Sequence, residues 1–187
     1  MKSLQIDQTG ILRFNSKVIN ILSIIFGSIF IAVLAQISIQ IPFSPVPITG
    51  QTLGVIIIGG ILGSKKGALT ISLYLMEGAL GFPVFANMKA GAYVLIGPTA
   101  GYLWSFIPAA YLVGFFSEKG FTDNFLNSFL VCLLSTFLIL ILGSIYLTII
   151  GFGLDKALLV GFYPFILGGI IKSLLGSIFI LCSRKFA

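Results

Sequence analysis

The stretch Tyr163-Pro-Phe-Ile-Leu-Gly-Gly-Ile-Ile-Lys172 lies in the last long apolar run of the chain, 157–182, and Lys172 is the one charged residue in that run. A lone ammonium in the hydrocarbon core of a membrane is costly, so it indicates a functional site with a partner. Pro164 and the pair Gly168-Gly169 are expected to loosen the helix before the lysine. Transporters use such loosened helices where a ligand is met at membrane depth. The stretch therefore predicts a ligand-binding site inside a membrane-spanning segment.

The composition of the whole chain agrees with a membrane location. Of its 187 residues 58% are hydrophobic and only 9% are charged, whereas soluble domains carry about a quarter charged residues. The apolar segments are apolar on every face, which favours helices over the alternating strands of a barrel. The fold class predicted is therefore an all-α integral membrane protein.

The apolar runs predict a bundle of six transmembrane helices in a single membrane domain over residues 1–187. The approximate spans are 18–39, 53–63, 67–81, 99–116, 125–150 and 157–182, after a polar N-terminal segment at 1–17. The second span is too short to cross a core of about 30 Å alone. Residues 41–52 hold three prolines and no charge. They are expected to form an ordered cap over one membrane face, because proline excludes a regular helix there.

Charge counting predicts the orientation of these spans. With six spans and a cytoplasmic amino terminus, the inner segments hold eight basic residues and the outer loops only Lys89 and Lys156. This is the bias of the positive-inside rule, and it predicts that both termini are cytoplasmic. The cap, the 87–93 loop and the start of the last span then lie on the outer side.

Several classes of function are disfavoured by what the chain lacks. It contains no histidine, and its two cysteines both lie within apolar runs, so a His/Cys metal site is excluded. Neither a phosphate-binding loop nor a close pair of carboxylates occurs. We therefore predict that the protein is not an enzyme, needs no cofactor and does not hydrolyse ATP. The net charge of +6 follows from membrane topology rather than nucleic-acid binding. An integral membrane enzyme acting on lipid is the alternative from another class.

Two interpretations of Lys172 are open. Glu77 is the other ionisable side chain set within an apolar run, and it could pair with Lys172 without any ligand. Alternatively, Lys172 faces an anionic or carbonyl-bearing ligand in a mostly apolar pocket with few polar anchors. The candidate hydrogen-bonding partners are Gln51, Thr52, Asn87, Tyr93 and Tyr102, and the candidate walls are Phe165 and Trp104.

A stripe of small residues in the first span, Ser28, Ala32 and Ala35, allows another helix to approach closely. That helix is either a neighbour within the bundle or belongs to a partner protein.

Several blocks of the chain together resemble the BioY family. They cover most of the chain in order: Pro45-Val-Pro-Ile-Thr-Gly-Gln-Thr-Leu-Gly54, Lys65-Lys-Gly-Ala-Leu69, Tyr74-Leu-Met-Glu-Gly-Ala-Leu-Gly-Phe-Pro-Val-Phe-Ala86, Gly97-Pro-Thr-Ala-Gly-Tyr-Leu103 and Pro164-Phe-Ile-Leu-Gly-Gly-Ile-Ile-Lys172. Members of this family are biotin-capturing S components of energy-coupling factor (ECF) transporters.

The resemblance implies that the six-helix bundle is of the ECF S-component type. It implies a multi-pass protein in the plasma membrane of a prokaryote that takes up biotin from outside. It also implies docking onto a transmembrane coupling protein and two cytoplasmic ATPases, which would use the ATP. Uptake of a related vitamin or a biotin precursor, and transport by the chain alone, are the alternatives. By position, Lys172 matches the binding lysine of the family, Asn87 lies in the loop that supplies ligand contacts, and Ser28 and Ala32 match the docking stripe.

The chain departs from the family pattern next to the lysine. Where the family has Pro-Gly-Asp before two residues and the lysine, this chain has Leu167, Gly168 and Gly169. The acid that is expected to work with the lysine is therefore absent. Either Glu77 substitutes for it, or the affinity or the choice of substrate has changed.

Overall fold

The computed structural model describes the backbone of residues 5–6, 12–13 and 16–185 and the side chains of residues 16–184. Most of the predicted polar segment at 1–17 therefore lies outside the described residues. The helices are α1 (Ser16–Gln36), α2 (Gln51–Leu62), α3 (Ser64–Ala79), α4 (Ala100–Glu118), α5 (Phe125–Leu147), α6 (Leu154–Gly161) and α7 (Tyr163–Lys185). Two short antiparallel strand pairs join β1 (Gln5–Ile6) to β2 (Leu12–Arg13) and β3 (Ser38–Ile39) to β4 (Ile48–Thr49).

The helices confirm the predicted class of protein. Among the described residues, four segments are long and apolar enough to cross a membrane: Ser16–Gln36, Ala100–Glu118, Phe125–Phe152 and Tyr163–Arg184. The helix α2 is apolar but shorter, at 12 residues, and α3 has 16 residues that include two lysines and Glu77. The chain is thus a multi-pass, α-helical membrane protein.

The last apolar run is broken at a different place from the one predicted. The break lies at Phe162, between α6 and α7. Pro164 occupies the first turn of α7, where a proline costs little because that amide has no partner within the helix. Gly168 and Gly169 lie in unbroken helix. The prediction that they loosen the helix before Lys172 is therefore wrong, and a regular helix positions the lysine.

The helix α4 lies at the centre of the bundle and α1 at its edge. α4 packs against α2, α3 and α5, and α5 packs against α7. In the apolar window of α4 61% of the residues are buried, against 22% in α1. The outer face of α1 presents large apolar side chains such as Phe26 and Val33, as expected for a helix that faces lipid.

The proline-rich segment forms an ordered cap, as its composition predicts. β3 and β4 close it as a hairpin between α1 and α2, and Val46 and Pro47 within the segment are buried. The Ser44 hydroxyl lies 2.7 Å from the main-chain oxygen of Val160 and donates to it. The cap is therefore attached to α6 and covers one end of the helical bundle.

A cavity that contains Lys172

The helical bundle encloses a cavity between the cap, the loop after α3 and the helices α4, α5 and α7. Its empty volume, including its open mouth, is about 760 Å³. The lining residues are Val46, Pro47, Thr49, Gln51, Thr52, Phe85, Ala86, Lys89, Val94, Thr99, Tyr102, Leu103, Phe106, Thr136, Ile139, Leu140, Phe165, Gly169 and Lys172.

Lys172 is a partly buried cation on this cavity wall. Its side chain makes no hydrogen bond or ion pair with any residue that the structure describes; the ion pair found among them joins Arg184 to Asp123. The described lining includes a second cation, Lys89, and no carboxylate. The cavity therefore carries uncompensated positive charge, which an anionic ligand would neutralise.

Aromatic side chains form much of the apolar wall. Tyr102 and Phe165 face each other with ring centroids 6.3 Å apart and planes tilted by 41°. The Tyr102 hydroxyl donates to the main-chain oxygen of Gly161 at 2.8 Å, and its ring lies so close to Gly143 that a Cβ there would overlap it. The ring is consequently fixed against bare backbone, as a rigid apolar surface for a ligand requires.

Gly169 lies one helical turn before Lys172 and also lines the cavity. A Cβ at this position would come within 2.8 Å of Thr136 Cγ2, closer than atoms pack without a shift of the neighbour. Thr136 is itself tied by a 2.9 Å hydrogen bond to Ser173. The close packing of α5 on α7 therefore favours glycine at position 169. As a result, residue 169 places no side chain beside Lys172.

The structure brings five of the predicted substrate-binding residues together on this wall: Gln51, Thr52, Tyr102, Phe165 and Lys172. The other four, Glu77, Asn87, Tyr93 and Trp104, do not line the cavity. Whether the five contact a ligand stays a prediction.

Glu77 lies in a separate groove between α1 and the end of α3. Its Oε1 accepts a 3.0 Å hydrogen bond from the hydroxyl of Ser28 on α1. The pairing of Glu77 with Lys172, one of the two alternatives raised by the sequence, does not occur in this structure. The reason is that α3 turns the carboxylate toward α1, whereas Lys172 faces the cavity from α7.

The remaining three residues lie outside the cavity, and two of them make hydrogen bonds near the loop after α3. Asn87 is exposed, has a left-handed backbone (φ 58°) and accepts a 2.6 Å hydrogen bond from Ser38, the behaviour of a turn-forming asparagine. Trp104 is half exposed and donates to the main-chain oxygen of Leu95 at 3.0 Å. Tyr93 is 64% exposed. The structure thus places these side chains around the site rather than in it.

The small-residue stripe of α1 is used mainly inside the bundle. Ser28 and Ala35 are fully buried, and only Ala32 is partly accessible. α1 packs on α2 and α3 through this face, so the stripe serves packing within the bundle. Docking of a partner protein on Ser28, Ala32 and Ala35 stays a prediction.

Some residues that line the cavity were not predicted from the sequence. Thr49, Phe85 and Lys89 lie in or next to blocks that carry the family resemblance, and Lys89 is a cation in a loop flanked by apolar residues. Their place in these blocks, or a charge in an apolar loop, could have indicated them as site residues. Thr99 also lies in such a block, Gly97–Leu103. Thr136 is a single hydroxyl within α5, and nothing in the local sequence distinguishes it from other threonines.

A multi-pass helical membrane protein with a partly enclosed, cationic and aromatic cavity belongs to the class of membrane proteins that bind a small molecule. The chain itself is a member of the BioY family, whose model matches residues 7–186.

Similar proteins are found among both sequences and structures. The biotin transporter BioY of Thermotoga maritima is 37% identical over 147 residues, which cover 79% of this chain and 86% of that protein. Biotin transporter BioY2 of Lactococcus lactis subsp. cremoris is 35% identical over 172 residues, covering 88% and 90%. The crystal structure of an S component for biotin from an ECF-type ABC transporter superimposes with a TM-score of 0.83 at 30% identity, covering 91% of this chain and 93% of that one.

Proposed function

We propose that this chain binds biotin in the cavity and mediates its uptake, as the S component of an ECF transporter. The observation that carries the proposal is Lys172, a cation with no partner among the described residues, on the wall of an otherwise mainly apolar cavity. Biotin combines a single carboxylate with an uncharged bicyclic head. The names of the similar transporters and of the similar crystal structure support biotin as the ligand.

The chemistry of the cavity fits both ends of such a molecule. A carboxylate beside Lys172 would form a charge-assisted hydrogen bond, worth roughly 1.5–3 kcal/mol. The fused rings would pack against Phe106, Phe165 and Tyr102, which line the same cavity. Since buried polar groups without partners are costly, the ureido group also needs hydrogen bonds from the lining residues.

The binding step is tested with purified protein and radiolabelled biotin. We expect saturable binding at submicromolar free ligand, which corresponds to about 8 kcal/mol or more. Biotin methyl ester, which lacks the negative charge, should compete poorly. A panel of related vitamins and biotin precursors tests the alternative substrates. Folded protein without saturable biotin binding would sink the proposal.

The transport step is proposed to depend on partners, namely a transmembrane coupling protein and two ATPases in the cytoplasm. The test measures biotin uptake by cells that lack an uptake system of their own, with this chain expressed alone or together with coupling subunits. Faster uptake in the presence of the subunits is expected. Equal uptake by the chain alone would favour a stand-alone transporter.

We further propose six spans in the plasma membrane of a prokaryote, with both termini in the cytoplasm and the cavity open to the outside. In this arrangement each of α1 to α5 crosses once and α6 with α7 forms the sixth span. The test introduces Lys65→Cys or Lys156→Cys into a Cys132→Ser/Cys182→Ser background. An impermeant maleimide applied to intact cells should label position 156 and leave position 65 unlabelled; the reverse pattern would overturn the orientation.

A further inference from the structure

Tyr74 is a buried residue behind the cavity wall. It lies on α3, is 0% exposed and is not among the lining residues. It nevertheless contacts two residues that are: its hydroxyl bonds Gln51, and its ring meets Phe85 edge-on with centroids 5.6 Å apart. A phenol at this depth needs its hydroxyl fully partnered, so its partners indicate what it does.

The hydrogen bonds around Tyr74 fix the orientation of the Gln51 amide. A phenol has one hydrogen, and Tyr74 donates it to the main-chain oxygen of Val84 at 3.0 Å. Its oxygen must therefore accept from Gln51, and it does so from Nε2 at 2.5 Å. At the other end of the amide, Oε1 accepts from the Thr49 hydroxyl at 2.9 Å. An amide held at both ends in this way cannot flip.

The Gln51 amide keeps unused hydrogen-bonding capacity after these contacts. One of its two N–H groups and one of its two oxygen acceptor positions remain, and Gln51 is only 5% exposed while lining the cavity. A neighbouring donor and acceptor in fixed orientation complement a group that itself has an N–H beside a C=O. The cyclic urea of biotin is such a group, whereas a carboxylate offers only acceptors.

We propose that Tyr74 is a positioning residue for substrate selection: through its hydroxyl it holds the Gln51 amide so that this amide pairs with the ureido head of the ligand, while Lys172 takes the carboxylate. This inference rests on the proposed biotin-binding function. Through Val84 and Phe85 the same residue also anchors the loop after α3, which forms part of the cavity wall.

The test is a double-mutant cycle on ligand affinity with Tyr74→Phe, Gln51→Ala and the double variant. Phe at 74 keeps the ring against Phe85 and removes only the hydroxyl. We expect it to weaken biotin binding about tenfold, the loss of one buried hydrogen bond. On the Gln51→Ala background the same change should alter affinity less than about twofold, because Tyr74 then has no amide to orient.

Two ligand ratios separate positioning from a general loss of stability. Replacing the ureido oxygen by an imino nitrogen, as in 2-iminobiotin, changes the group that Gln51 is proposed to pair with. The preference for biotin over 2-iminobiotin should therefore fall in Tyr74→Phe, while the preference for biotin over its methyl ester stays. Thr49→Val, which frees the other end of the amide, should lower the first ratio as well and provides a second variant if Tyr74→Phe folds poorly.

Tyr146→Phe is the matched control, because the Tyr146 hydroxyl also donates to a main-chain oxygen, that of Ile96, but Tyr146 does not line the cavity. It should leave both ligand ratios unchanged. The positioning role alone is overturned if Tyr74→Phe lowers biotin affinity equally with Gln51 and with Ala at position 51. It is also overturned if the ratio of the affinities for biotin and 2-iminobiotin is unchanged in Tyr74→Phe. Absence of biotin binding by the wild-type protein removes this inference together with the proposed function.

Discussion

Lys172 and Glu77 occupy equivalent situations in the sequence and opposite ones in the structure. Each is an ionisable side chain within an apolar run. In the folded chain Glu77 accepts a hydrogen bond from Ser28 across the α1–α3 contact. Lys172 lines the cavity and has no bonding partner among the described residues. The charge of Glu77, at a contact between two helices, is thus partly compensated by a hydrogen bond. The charge of Lys172, on the cavity wall, is left for a ligand to neutralise.

The largest effect is expected from Lys172→Met, which keeps an unbranched side chain and removes the charge. Biotin affinity should fall about 30-fold or more, equivalent to about 2 kcal/mol, because a charge-assisted hydrogen bond in a buried site is lost. The empty protein should be at least as stable as the wild type, since an unpartnered charge disappears. Ligand binding and thermal unfolding in detergent measure the two quantities.

Lys156→Met is the matched control for this change. Lys156 is an exposed lysine whose ammonium lies over the Phe152 ring and outside the cavity, so biotin affinity should stay within twofold, a change of about 0.4 kcal/mol. If Lys172→Met binds biotin as tightly as the wild type, the lysine is not a ligand contact and the contrast with Glu77 fails.

A smaller effect, on stability rather than binding, is expected from Ser28→Ala. It removes a hydroxyl that lies 3.0 Å both from Glu77 Oε1 and from the Ile25 oxygen of its own helix. The carboxylate then lacks this donor, at a cost of about 1–2 kcal/mol. The unfolding midpoint should fall while biotin affinity is unchanged. Ser23→Ala is the control, because the Ser23 hydroxyl only bonds the Ile19 oxygen of its own helix. Weaker biotin binding in Ser28→Ala would link the groove to the cavity and contradict their separation.

The smallest effect is expected from Asn87→Gly. Glycine adopts the left-handed backbone of this position without strain, and the bond from Ser38 is lost. Biotin affinity should change less than about twofold, because Asn87 does not line the cavity; a loss of about tenfold, the size of one hydrogen bond, would place Asn87 in contact with the ligand after all. Titration with radiolabelled biotin measures the difference.

The sequence predicted the helical membrane class and, through a charge in an apolar run, a cation that lines the cavity. It also predicted the ordered cap from three prolines without charge. The sequence did not predict correctly which residues that are distant along the chain share one site. Glu77 and Trp104 are polar or aromatic residues in apolar surroundings, as Gln51 and Tyr102 are. The position of each helix in the bundle and its rotation about its own axis separate the two groups.

The sequence by itself determined that this chain lies in a lipid bilayer and which of its charged residues are costly to bury there. The reason is that hydrophobicity and charge are properties of single residues and short runs. What only the tertiary structure decided is which neighbour meets each of those residues. The contact of Ser28 with Glu77 spans 49 positions, and that of Gln51 with Tyr74 spans 23. Such pairings depend on helix packing over the whole bundle, and so does the absence of a partner for Lys172 among the residues that the structure describes.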